Sequence, residues 1–133
     1  MLTFPNPGPL PALPGLACRQ MTPDDAVEII RLQDAMLQAL EKPNWYYPSP
    51  VELFAECCAR GESFGFWDGD HLAGFGTLTP WYIRPLTCYA YKIGESPKHT
   101  FDFQDVMVDP AYRRRGIHSA LLALFDRLAR EAG

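Results

Sequence analysis

Apolar positions along this 133-residue chain follow two different periods. Ala26, Val27, Ile29, Ile30, Leu37 and Leu40 approximate the stripe of an amphipathic helix ending near residue 40. Thr22-Pro23-Asp24-Asp25 opens it, with Thr22 as N-cap and Pro23 at the first helical position, and Pro43 closes it. A second helix is expected from Ser49-Pro50, again a cap followed by proline, carrying Val51, Leu53, Phe54 and Cys57 toward a core. After Gly61 the period shortens. Residues 63–67 and 71–79 flank Asp68-Gly69, a dipeptide suited to a tight turn with positive φ, and read as a hairpin. Residues 16–20 and 101–108 read as further strands, residues 87–93 as another extended piece, and residues 94–98 as a loop. After the Asp109-Pro110 turn, a helix is expected from about residue 115 to 132. Ile117, Leu121, Leu124, Phe125, Leu128 and Ala132 share one side of it. Asp126 with Arg130 and Arg127 with Glu131 form i,i+4 pairs on the other. The order β, α, α, β, β, β, α indicates an α/β or α+β sheet with helices.

Residues 1–15 hold five prolines and two glycines, a density that blocks helix and interior strand and predicts an extended arm. A plain tail, a packed arm and a proline-rich docking ligand are its alternative roles. The remaining residues, 16–133, suffice for one domain with one core. Twelve Lys and Arg against sixteen Asp and Glu leave a net charge of −4, which disfavours nucleic acid as a partner and leaves room for a cationic one. Cys18, Cys57, Cys58 and Cys88 have no metal-ligand spacing, so no metal is expected. No basic region followed by an apolar run opens the chain, and no stretch reaches membrane-spanning length. Reduced thiols in a cytoplasmic protein, away from membranes, are the expectation.

The chemistry is concentrated between residues 106 and 119. A strand ends, the chain turns at Asp109-Pro110, and a helix opens behind Arg113, Arg114 and Arg115. A helix N-terminus already carries partial positive charge from unpaired N–H groups, so three cations there are unfavourable unless an anion is bound. Gly116 removes a side chain from the opening turn and lets backbone amides approach a phosphate. A solvated arginine cluster is the plainer alternative.

Val108-x-Pro110-x-Tyr112-Arg113-Arg114-Arg115-Gly116-Ile117 resembles the acetyl-coenzyme A signature of GNAT N-acetyltransferases, with core Gln/Arg-x-x-Gly-x-Gly/Ala. Arg113 fills the first place and Gly116 the first glycine, while His118 stands where that family has glycine or alanine. The resemblance extends to the element order from residue 16 to 133. It implies a mixed, mostly antiparallel sheet flanked by helices. It also implies that a fifth strand, a helix and a closing hairpin are missing after Gly133, as in a fragment of a longer enzyme. A homodimer pairing open strand edges, and a degenerate chain without catalysis, are the alternatives.

The same resemblance implies acetyl-coenzyme A as cosubstrate, with Val106, Met107 and Val108 along its pantetheine arm. Its pyrophosphate would lie on the amides of Arg113, Arg114, Arg115, Gly116, Ile117, His118 and Ser119. A backbone N–H at Val106 or Val108 would polarise the thioester, and an amine would attack directly in a ternary complex. The acceptor would be a small-molecule amine or a protein amino group. Many relatives carry glutamate then aspartate where this chain has Gln104-Asp105, which leaves Asp105 and Asp102 as candidate bases. Alternation puts Asp102 on the face of Gln104 and Asp105 on the other. Trp45-Tyr46-Tyr47 and Trp81-Tyr82 fall on segments that line the acceptor pocket in that family, although core packing explains them equally. A non-catalytic GNAT-like module binding coenzyme A or a partner is the rival reading. Anion or nucleic-acid binding through Arg113 to Arg115 is a third.

Overall fold

The computed structural model describes residues 2–40, 48–80 and 101–132, with Gln104 and Asp105 described by their backbone alone. Among the described residues, seven helices and strands follow one another: β1 (Ala17–Gln20), α1 (Ala26–Gln38), α2 (Val51–Ala59), β2 (Ser63–Asp68), β3 (His71–Pro80), β4 (Phe101–Val108) and α3 (Ile117–Ala132). Among the described residues the strands form one antiparallel sheet in the order β1-β2-β3-β4. The β2–β3 hairpin forms as its residues dictate. Asp68 pairs with His71, and Gly69 takes the positive φ, 59°, that the tight turn requires. The expected extended piece at 87–93 and loop at 94–98 lie outside the described residues.

Each face of the sheet buries its own cluster. One holds Phe64, Phe66 and Leu78 against Ile117, Leu121, Leu124, Phe125 and Leu128 of α3. The other holds Trp67, Leu72, Phe75 and Met107 against Ile29 and Leu32 of α1 and Phe54 and Cys58 of α2. α3 comes close to the sheet because β3 presents two glycines to it. A Cβ built on Gly74 would lie 2.8 Å from Ile117 Cγ2, and one on Gly76 3.0 Å from Phe125 Cε2. Ile117 therefore seats the first turn of α3 directly on the backbone of β3.

β4 contains an irregularity that alternation alone does not forecast. Gln104 pairs with Thr77 but Met107 pairs with Phe75, so one extra residue is accommodated in β4 between them. Phe101 and Phe103 pack with the α3-side cluster, and so do Val106 and Val108, while Met107 is buried on the opposite face. A regular strand would put Phe103 and Val106 on opposite faces. The bulge resets the parity, so the even alternation expected along β4 does not carry past Gln104.

The N-terminal arm is packed. Phe4 is buried and stacks on Phe101 at 6.0 Å. The Thr3 amide donates to Arg60 O at 2.8 Å, and Arg127 on α3 donates to Pro7 O at 2.8 Å and Pro9 O at 2.7 Å. Carbonyls that prolines leave without a strand partner are thereby satisfied by a guanidinium.

Several local expectations need correction. Pro23–Asp25 forms a short 3-10 turn rather than the first turn of α1, and the Asp25 carboxylate accepts from the Thr22 amide at 2.8 Å. The buried positions of α1 are Ala26, Ile29, Leu32 and Gln33, whereas Val27 is 73% exposed. The face that meets the sheet runs one residue to the side of the expected stripe. Pro50, not Ser49, occupies the N-cap of α2, because the Ser49 backbone is engaged at both N–H and C=O by the Gln33 side chain. Val51 is exposed and Cys58 is buried in its place. α3 begins at Ile117 rather than 115, and Ala132 is exposed at its end.

Candidate anion site at the opening of α3

The loop between β4 and α3 is built from Asp109 outward. Its amide donates to Ala73 O at 2.8 Å, and its carboxylate accepts from the Ala111 amide at 2.9 Å. Pro110–Tyr112 closes a 3-10 turn, with the Tyr112 amide donating to Asp109 O at 2.8 Å. Arg113 is extended, Arg114 takes a left-handed φ of 65°, and Gly116 takes 85°. Left-handed backbone at a residue with a Cβ costs about 1–2 kcal/mol, so neighbouring contacts must hold Arg114 there. Gly116 O then accepts the first helical bond, from the Ala120 amide at 2.9 Å.

This path encloses a depression of about 260 Å³ lined by Val108, Tyr112, Arg113, Arg114, Gly116, Ile117, His118 and Ser119. Seven of these were expected from the sequence. Arg113, Arg114, Gly116, His118 and Ser119 are exposed, so two guanidinium groups stand beside the first turn of a helix. Unpaired N–H groups and fixed cations both favour an anion there.

The remaining candidates are placed differently. Arg115 is absent from the lining: its guanidinium lies over the Tyr112 ring, 4.9 Å from the centroid. Met107 has its side chain in the core and pairs with Phe75. Val106 packs with the α3-side cluster beside the bulge. The His118 ring is turned toward β4, 6.3 Å from the Phe103 ring. Asp102 is half-buried near the start of β4, paired with Thr79. The side chain of Asp105 lies outside the described residues, as do Trp45, Tyr46, Tyr47, Trp81, Tyr82 and Cys88.

Sequence reasoning missed Tyr112 as a wall of the depression and missed the groups that hold it. Tyr112 donates its hydroxyl to Asp68 at 2.6 Å, and this bond to a carboxylate, with smaller contributions from desolvation and charge, raises the phenol pKa. No local signal marks Asp68, because it lies 44 residues away along the chain.

The acetyltransferase (GNAT) family model matches residues 31–133, which is more than half of the chain and includes this whole loop. The chain belongs to the GNAT acetyltransferase family. Acetyl-coenzyme A-dependent N-acetylation is the general reaction of that family.

Solved structures agree with the GNAT fold. YncA of Salmonella typhimurium, solved with its cofactor acetyl-CoA, superposes with a TM-score of 0.60 at 14% identity, over 90% of this chain and 65% of that one. A GCN5-related N-acetyltransferase from Kribbella flavida gives 0.57 at 18% identity, over 89% and 28%. An aminoglycoside acetyltransferase from an uncultured soil metagenomic sample, in complex with sisomicin, gives 0.57 at 16%, over 90% and 73%. The chain thus spans about a quarter of the Kribbella GNAT structure and just under two thirds of the Salmonella one. No curated protein sequence matches it. Among the described residues of this GNAT chain, no group of three His, Cys, Asp or Glu side chains is arranged to hold a metal ion. None of its described helices is long and apolar enough to cross a membrane.

Proposed function

We propose that this chain binds acetyl-coenzyme A with its phosphates in the depression at the opening of α3, and presents the acetyl group to a primary amine. The observation that carries this reading is the pairing of two exposed guanidinium groups, Arg113 and Arg114, with a helix N-terminus immediately preceded by Gly116, which has no side chain. Phosphate oxygens would offset the crowding of positive charge that is otherwise unfavourable at that point.

The bulge in β4 supports a role for its backbone. Next to an unpaired residue, ladder groups are free to turn away from β3, and a backbone N–H near Val106 or Val108 is the donor assigned to the thioester oxygen. Attack forms the N–C bond of the amide and expels the coenzyme A thiolate, while the amine loses a proton. Asp102 and Asp105 are the candidate acceptors of that proton, directly or through water. The buried Cys57 and Cys58 need not act, and direct attack requires no acyl-enzyme. The acceptor class is a small-molecule amine or a protein amino group.

Calorimetry with acetyl-coenzyme A tests the first half. Binding by the wild-type chain, with strong loss in Arg113→Ala and Gly116→Asp, is expected; no heat from the wild type rejects the reading. Thiol release over polyamines, aminoglycosides, amino acids and peptides tests the second half. Binding without turnover on any of them would make the chain a coenzyme A-binding module.

A further inference from the structure

The tip of the β2–β3 hairpin reaches across to the loop that precedes α3. His71 Nε2 lies 2.9 Å from Asp109 Oδ2, and its ring stacks on Tyr112 with centroids 5.3 Å apart and planes at 27°. Asp68, its partner across the turn, accepts the Tyr112 hydroxyl at 2.6 Å. Arg31 on α1 adds a third element, donating to Leu72 O at 2.9 Å with its other terminal nitrogen 3.8 Å from Asp109 Oδ2.

Asp109 is the bracket between these parts. Its side chain is 10% exposed, Oδ2 faces His71 and Arg31, and Oδ1 accepts the loop amide of Ala111. A carboxylate shared this way transmits the position of the hairpin to the first amide of the turn. Tyr112 is held at its ring by the stacked His71 and at its hydroxyl by Asp68, and supports the guanidinium of Arg115. The left-handed Arg114 lies between these fixed residues and the helix, where local backbone preference opposes it.

We infer that His71 and Asp68 are positioning residues for the anion-binding loop. Through Asp109 and Tyr112 they set the backbone from Pro110 to Gly116 in the conformation that receives phosphate. The inference rests on the coenzyme A reading of that loop, although the clasp itself is defined by the geometry alone.

Two readouts on the full chain test it, well below the melting temperature. Backbone amide exchange over residues 111–120, without ligand, reports the loop; calorimetry with coenzyme A reports the site. His71→Leu should speed exchange in the loop and weaken binding by about tenfold each, the scale of one hydrogen bond to a charged group. His71→Gln, which can replace Nε2 with an amide nitrogen, should stay within about threefold of wild type. Asp68→Ala alters an exposed carboxylate and should weaken binding by about threefold, so it carries the test if His71→Leu does not fold. A lowered melting temperature with wild-type affinity and wild-type loop exchange in both variants overturns the proposal. If the wild-type chain binds no coenzyme A, the functional reading fails and exchange decides alone: acceleration confined to the loop sustains the clasp, and unchanged exchange removes it.

Discussion

The imidazole of His118 meets the ring of Phe103 nearly edge-on, with centroids 6.3 Å apart and planes at 79°. A side chain stands where the GNAT signature has glycine or alanine, yet its ring is turned toward β4. Phe103 faces α3 because it pairs with Leu78, and both belong to the cluster on that side of the sheet.

His118→Ala should change coenzyme A affinity by less than about threefold, while the lost ring contact costs stability on the order of 0.5–1 kcal/mol. His118→Asp should weaken binding at least about tenfold, because it adds a negative charge beside phosphate. Titration calorimetry on both variants checks the pair. Equal losses would mean that the imidazole itself contacts the ligand.

Two glycine substitutions should fail for different reasons. Gly116→Ala meets nothing closer than Leu13 Cδ2 at 3.6 Å, but its φ of 85° imposes a strain of about 1–2 kcal/mol. Gly74→Ala places a methyl 2.8 Å from Ile117 Cγ2 and 3.1 Å from Met107 O, an overpacking cost of about 1–3 kcal/mol. Denaturant unfolding should rank both below wild type. Ile117→Ala, which removes the clashing Cγ2, should cost less stability in the Gly74→Ala background than in wild type, and as much in the Gly116→Ala background as in wild type.

Arg127→Ala should release the N-terminal arm. The guanidinium bonds to Pro7 O and Pro9 O disappear, and the global stability loss should be about 1 kcal/mol. Limited proteolysis followed by mass spectrometry should find faster cleavage between residues 5 and 12. Cleavage at the wild-type rate would assign retention of the arm to Phe4 and Thr3.

Burial lifts the thiol of Cys58 from its ordinary value of 9.0 to about 11, although a hydrogen bond with Ser63 works the other way. Burial does the same to Cys18. A proton held more tightly in the folded chain than in the unfolded one makes stability flat below about pH 9, and lost progressively between about pH 9 and about pH 11. Urea unfolding at pH 8 and pH 10 should show that decline, and Cys58→Ala should make it shallower, with the Cys18 contribution remaining. Alkylation at pH 8 should be slow until the chain unfolds.

Features whose causes lie within a few residues of one another were legible in the sequence. Asp68-Gly69 marked the hairpin turn, and the spacing of Ile117, Leu121, Leu124, Phe125 and Leu128 marked the buried face of α3. The pairs Asp126–Arg130 and Arg127–Glu131 close at 2.9 and 3.1 Å as the i,i+4 spacing required. The run from Arg113 to Ser119 was singled out as one local feature, and Arg113, Arg114, Gly116, Ile117, His118 and Ser119 line one depression at the opening of α3. Val27 and Val51 went wrong because periodicity gives the angular spacing of a stripe more securely than which side of it meets the sheet.

The sequence alone determined the element order, the hairpin, the amphipathic face of α3 and the chemical character of its N-terminus, because each depends on short-range spacing and intrinsic backbone preference. Only the tertiary structure decided the bulge that brings Phe103 and Val106 to one face, the seating of Ile117 on Gly74, the arm held by Arg127, and the meeting of His71 with Asp109. These depend on contacts between residues far apart in the chain, as with the 38 positions separating His71 from Asp109. No local pattern encodes such a partner, because the chain must close a loop before the two groups can meet.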